Sequence, residues 1–177
     1  MAELHVIGQV VSGTSSETPS TGLFAKWSIH SGSSWKKLSG HKEGQTQVDT
    51  PRYAGISYWA HPIDIHFVTK GLQGWPKIIL EVYRQDKFGR SDLAGYGICH
   101  IPSSPGTHIV EIPLWRPFGS TKEEIVRNFI GGSLEVCEPD FIANPIERCR
   151  LKTIPSGTAK VEFGIILKNF DNFGVET

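Results

Sequence analysis

Along L-F-A-K-W-S-I-H (residues 23–30), Leu23, Ala25, Trp27 and Ile29 share one side of an extended chain, and Lys26, Ser28 and His30 share the other. A period of two marks a half-buried strand, because successive side chains in an extended chain point to opposite faces. The pattern recurs in I-D-I-H-F-V-T (63–69), where Ile63, Ile65, Phe67 and Thr69 oppose Asp64, His66 and Val68. It recurs again in P-K-I-I-L-E-V-Y-R (76–84), with Ile78, Leu80 and Val82 on one side. Residues 4–11, 93–101, 107–115, 149–154 and 159–168 read as further strands. About eight short strands at regular spacing predict an all-β chain folded as an antiparallel β-sandwich.

Two stretches depart from the pattern. S-G-T-S-S-E-T-P-S-T-G (12–22) has little to bury and is expected to be a mobile loop. In G-S-T-K-E-E-I-V-R-N-F-I-G-G-S (119–133), Ser120 stands three before Glu123, apolar residues follow, and two glycines close the run. This is the signature of a capped short helix, expected near 121–130. At 177 residues, with no internal repeat or dividing linker, the chain reads as one domain spanning 1–177.

Charge narrows the partners. Formal net charge is zero, with 10 Lys/Arg against 7 Asp/Glu in residues 1–90 and 8 against 11 in residues 91–177. The longest basic run is the pair Lys36-Lys37, so the footprint of a nucleic-acid binder is missing. Cys99, Cys137 and Cys149 are odd in number and form no C-x-x-C, which reads as free thiols in a reducing compartment. The start M-A-E-L-H-V-I-G lacks the basic, apolar pattern of a signal peptide, and no apolar run approaches the ~20 residues of a spanning helix. The expectation is an intracellular chain, soluble or peripheral to a membrane.

The stretch V-Y-R-Q-D-K-F-G-R-S-D-L-A-G (82–95) resembles the third calcium-binding loop of C2 domains, with Asp86 and Asp92 on two acidic positions and Arg84 on a third. Calcium takes about six to eight oxygen ligands, usually from several carboxylates. Arg84 has no acceptor and repels the ion, and it can hydrogen-bond the neighbouring carboxylates instead. Asp49 and Asp64 stand alone elsewhere. The loop is therefore read as a degenerate calcium site, its aspartates acting as turn residues, and neither metal nor cofactor is expected.

Catalytic candidates are thin. His61, Asp64 and His66 in H-P-I-D-I-H come nearest, Asp64 and His66 sharing a strand face, but no third group is specified. Cys99 and His100 are adjacent on a strand and point to opposite faces. G-Y-G (95–97) lacks the third glycine of a nucleotide loop and is read as a place of close strand packing. The chain is expected not to be an enzyme. Partner-binding candidates are Trp59 and Trp75, each bordering a turn; Pro102, Ser103, Ser104 and Pro105 of the stiffened loop I-P-S-S-P-G-T-H (101–108); and the aromatics Phe170 and Phe173 of the ending.

Longer runs carry a family resemblance: G-Q-T-Q-V-D-T-P (44–51), Y-W-A-H-P-I-D-I-H-F-V-T-K-G-L-Q-G-W-P-K (58–77), D-L-A-G-Y-G-I-C-H-I-P-S-S-P-G-T-H (92–108) and L-K-N-F-D-N-F-G-V-E (167–176). With them the chain resembles the B9-domain family of ciliary proteins over nearly its whole length. The resemblance implies a C2-like sandwich and a non-enzymatic component of the transition-zone (tectonic-like, Meckel syndrome) complex at the ciliary base, needed for cilium assembly and for the barrier to protein entry. It implies other B9-domain proteins as partners, association with gamma-tubulin, and localisation to cytoplasm, basal body, centrosome and axoneme. The competing expectation is a calcium-independent module that reads anionic lipid weakly through Lys36, Lys37, Lys87 and Arg90.

Overall fold

The computed structural model describes residues 1–16, 22–51, 55–118 and 152–171. Among these, nine strands form: β1 (Ala2–Ser15), β2 (Gly22–His30), β3 (Trp35–Gly40), β4 (Glu43–Gln45), β5 (Ile56–Thr69), β6 (Lys77–Gln85), β7 (Ser91–His100), β8 (Gly106–Pro117) and β9 (Thr153–Lys168). All the pairings between them are antiparallel, in the order β3-β5-β1-β9-β8-β7-β6-β2-β4.

One weak joint divides this continuous sheet into two layers. β7 and β8 share only the pair Tyr96 and Trp115, whereas β8 pairs with β9 along its length. The result is a five-stranded layer (β3-β5-β1-β9-β8) facing a four-stranded one (β7-β6-β2-β4). Gly95 and Gly97 flank the joint. A Cβ on Gly97 would stand 2.9 Å from Ile112 and Leu114, so these glycines let β8 close onto β7, as the sequence reading of G-Y-G expected.

The core lies between the layers. Leu4, Val6, Ile63, Ile65, Phe67, Val161 and Phe163 of the first meet Ala25, Trp27, Ile78, Leu80 and Val82 of the second, all essentially inaccessible. The alternation read from residues 23–30, 63–69 and 76–84 is followed by this burial except at Phe24 and Ile79, which are buried on the opposite faces of β2 and β6. A smaller apolar cluster gathers Ile79, Leu93 and Tyr96 with Tyr83, Ile98 and Trp115.

The motif G-Q-T-Q-V-D-T-P buckles the two layers together. Gly44 lies under the Trp27 indole, where a Cβ would stand 2.8 Å from the ring. Thr46 Oγ1 accepts the Ala25 amide at 2.9 Å, and Gln47 Nε2 donates to the Trp59 carbonyl at 2.8 Å. Asp49 exchanges both backbone bonds with Leu23 while its carboxylate caps the Tyr58 amide at 2.9 Å. Polar residues in this run thus satisfy backbone groups of β2 and β5 at once, which is why it lacks a strand-like period.

Three expectations change. Residues Ser12–Ser15 are the end of β1, paired to both β5 and β9, and not part of a loop; residues 17–21 lie outside the described residues. The expected strands 149–154 and 159–168 are joined in β9, with residues 149–151 outside the described set. β3 and β4 were not anticipated. The expected helix near 121–130 also lies outside the described residues.

Candidate interaction surfaces

The β6–β7 turn is built around one carboxylate. Asp86 Oδ1 accepts the amides of Phe88 at 2.8 Å and Arg90 at 2.9 Å, and Oδ2 accepts Arg90 Nε at 2.9 Å. Desolvation acts to raise the Asp86 pKa, but the two amides and the Arg90 guanidinium outweigh it and hold the carboxyl below its ordinary value. Gly89 takes a φ of 81°, the left-handed conformation that closes the turn. Arg84 lies opposite Asp92 across the β6–β7 pairing. The cation bonded to Asp86 is Arg90, a residue the sequence reading had placed with the lipid candidates. Among the described residues, no three His, Cys, Asp or Glu side chains gather so as to hold a metal ion.

The partner-binding candidates separate into two groups. Trp59 is 3% exposed and donates its indole N–H to the Leu23 carbonyl at 3.0 Å, so it is core and offers no surface to a partner. A bulge opposes Trp59 and Ala60 to Val11, and Ala60 takes a φ of 46°; this backbone turns the ring inward. Phe170 is likewise core, 1% exposed beneath Trp75. Phe173 lies outside the described residues. Trp75 is half-buried, packs edge-on against Trp35 with centroids 5.0 Å apart, and donates to the Ile101 carbonyl at 2.7 Å. That bond ties it to the 101–108 loop, where Pro102 is half-buried and Ser103, Ser104 and Pro105 are exposed. Trp75, Phe170 and this loop are thus brought to one end of the sandwich, with Trp75 and the loop supplying its surface.

The lipid candidates are split. Lys36 and Lys37 are exposed on β3, whose first residue pairs with Thr69 at the end of β5. Lys87 and Arg90 occupy the turn after Gln85, at the far end of β6 from Lys77, where the chain returns from β5. Nine residues of β6 at about 3.3 Å each hold the two pairs at opposite ends. They do not form one basic patch.

His61, Asp64 and His66 are not assembled into a site either. His61 is half-buried on the inner face, 6.1 Å from the Trp27 ring, and burial lowers its pKa. Asp64 and His66 share the outer face, as expected, but each has a separate partner on β1: His5 bonds Asp64 at 2.9 Å, and His66 faces Glu3 at 3.4 Å. Lys168 completes the row at 3.3 Å from Glu3. Cys99 is half-buried with its pKa pushed up by burial, its Sγ donating to the His100 carbonyl. Cys137 and Cys149 lie outside the described residues.

Two surface features escaped the sequence reading. On the outer face of the five-stranded layer, Ile7 (β1), Ile109 (β8) and Ile166 (β9) are 47%, 62% and 55% exposed. Register sets Ile7 and Ile166 diagonally on neighbouring strands, Ile7 opposite Gly164 and Ile166 opposite His5, whereas Ile109 stands opposite Glu162, whose carboxylate accepts Gln9 Nε2 at 2.7 Å. Ile166 falls among the outward positions of 159–168, so the signal was present in the alternation. The other feature is Phe88, 85% exposed at the tip of the Asp86 turn.

The pattern of motifs can now be set against known proteins. Residues 4–166 match the family described as B9-C2, ciliary basal body-associated B9 protein. The chain belongs to the B9 family. Among B9 relatives, B9 domain-containing protein 2 of Homo sapiens is 54% identical over 176 residues, covering 99% of both chains. Its namesake in Danio rerio is 50% identical over the full length of both. B9 domain-containing protein 1 of Xenopus laevis is 30% identical over 98% of this chain and 88% of its own. Among solved structures, the C2A domain of plant Extended Synaptotagmin 1 aligns over 93% of both chains with a TM-score of 0.44 and 13% identity. The all-β sandwich thus belongs to a family described as B9-C2 and ciliary basal body-associated.

Proposed function

We propose that this B9 protein is a non-enzymatic scaffold of the transition-zone complex at the ciliary base, where it associates with other B9-domain proteins and helps to form the barrier controlling protein entry. Cilium assembly, association with gamma-tubulin and residence at basal body, centrosome and axoneme belong to the same reading and rest on the family alone.

The observation that supports the scaffold role is the outer face bearing Ile7, Ile109 and Ile166. Ile7 and Ile166 on neighbouring strands, with Ile109 set apart beyond Glu162, put exposed apolar area on an otherwise polar face, a surface of the kind that marks association. The whole outer face of the layer, its polar and charged positions included, is roughly 800 Å², from five strands at ~4.8 Å spacing and about ten residues at ~3.3 Å. That is about what a standard interface takes from each partner. The charged row Asp64, His5, His66, Glu3 and Lys168 beside it supplies a polar rim.

Co-expression with the other two B9-domain proteins of the same organism, followed by size-exclusion chromatography in calcium and in chelator, tests the reading. A stoichiometric complex of the same size in both conditions is expected, with Ile7→Lys and Ile166→Glu releasing this subunit. Three well-folded chains that elute separately would overturn the assembly claim.

A further inference from the structure

The Asp86 turn does more than close a hairpin. Three bonds converge on one carboxylate, and two backbone bonds, Asp86 N to the Arg90 carbonyl at 3.0 Å and Gly89 N to the Asp86 carbonyl at 3.1 Å, brace the same five residues. What this bracing holds out is Phe88. Among the exposed large apolar side chains of the described residues it is the most exposed, and the Arg90 guanidinium lies 5.9 Å from its ring. Lys87 is exposed beside it.

We propose that Lys87-Phe88-Gly89-Arg90 is a docking knob that inserts Phe88 into an apolar, acid-rimmed pocket of a partner protein; the proposal rests on the scaffold reading. The bonds order the backbone of residues 86–90, so only the two side-chain torsions of Phe88 remain to be fixed when the ring is buried. Two basic residues would add only about 1 kcal/mol each at an anionic surface. A shaped pocket, by contrast, can enclose the whole ring and set a carboxylate against Lys87. Asp86 neutralises Arg90, its ion-pair partner at 2.9 Å, so the remaining positive charge of the turn is that of exposed Lys87, which calls for a carboxylate opposite.

The test uses the full chain with the two B9-domain proteins above, and phosphatidylcholine/phosphatidylserine vesicles as a second arm. Phe88→Ala is expected to weaken complex formation about tenfold or more, as a buried anchor does, and Phe88→Trp to retain it. Asp86→Ala, which removes the brace and leaves the ring, should fall between them. Phe88→Ala should melt with the wild type, because the ring is 85% exposed. Equal affinity of Phe88→Ala and wild type would overturn the knob and leave the scaffold reading standing. A Phe88→Ala chain that loses only vesicle binding would also overturn it, in favour of a bilayer. Failure of the wild type to assemble would remove both readings.

Discussion

Gly13→Ala adds one methyl group in the middle of a paired strand. Gly13 has an ordinary backbone conformation, so the added methyl brings no φ strain; the cost is steric. Its Cβ would stand 2.3 Å from Trp59 Cη2 and 2.8 Å from Cζ3. Carbon atoms rest at ~3.5–4.0 Å, so the ring must retreat by roughly 1.2 Å. Trp59 is 3% exposed and is held by its 3.0 Å bond to the Leu23 carbonyl. Overpacking of this kind costs about 1–3 kcal/mol. If the ring moves, the indole N–H is left buried without its acceptor, at about 1–3 kcal/mol more. A total near 3 kcal/mol, at ~2–4 °C per kcal/mol for a chain of this size, lowers the thermal midpoint by roughly 6–12 °C. Far-ultraviolet circular dichroism of Gly13→Ala, Trp59→Phe and the double variant measures it. The double variant should be less destabilised than the sum of the singles by at least about 1 kcal/mol, because the smaller ring vacates the methyl's space. A midpoint within about 2 °C of wild type, or strict additivity, refutes the wedge between Gly13 and Trp59.

Three further outcomes are expected. Calcium and chelator should give the same thermal midpoint, since Asp86 is committed to Phe88 and Arg90; a calcium-dependent rise would show that the turn rearranges to admit the ion. Phe170→Ala empties a fully buried position against Trp75 and should cost about 3–5 kcal/mol, read by urea denaturation, with a loss under 1 kcal/mol contradicting its place in the core. The Asp86 pKa is depressed in the folded chain, so its stabilising effect is complete above the ordinary carboxylate value of about 3.9 and fades as pH falls through the folded value. Carboxyl-carbon NMR titration should place its midpoint below the ordinary aspartate value of about 3.9, and a midpoint at or above that value would contradict the brace.

Strands whose two faces meet different environments were legible. β2, β5 and β6 alternate because one side meets the core and the other does not. β3 was not, because five of its six residues are exposed and neither face imposes a pattern. β9 was broken in two by P-S-G-T, which reads as a turn. In the sheet, Pro155 and Gly157 accommodate a register shift opposite Leu114 and Trp115, and Gly157 passes so close to the Thr14 carbonyl that a Cβ would collide with it. The end of β1 was hidden in the same way: Ser12 and Gly13 look like loop residues, and Gly13 is small because Trp59 needs the space. Trp59 itself was placed beside a turn from its neighbours Ala60 and Pro62. Which way a bulge aims a ring is decided by pairing with a distant strand, and no local pattern carries that.

The sites were less legible than the fold for a related reason. Reading 82–95 by its acidic positions identified Asp86 and Asp92 but passed over the residue between them that faces outward. A carboxylate that orients two amides and a guanidinium does the same electrostatic work whether or not an ion was ever there: it gathers positive charge around a small anion and fixes the chain in doing so. In this chain the gathered charge is internal, and the fixed element is the turn backbone that carries Phe88 on the solvent side. The same logic applies to the outer face of the five-stranded layer, where His5 bonds Asp64, Glu3 is shared by His66 and Lys168, and Ile7 and Ile166 are left as the unsatisfied chemistry. Charges that cancel locally contribute little long-range attraction, but they raise the cost of a mismatched partner. Specificity in the rim and apolar area beside it is the division expected of an assembling surface, and none of it requires a reacting group.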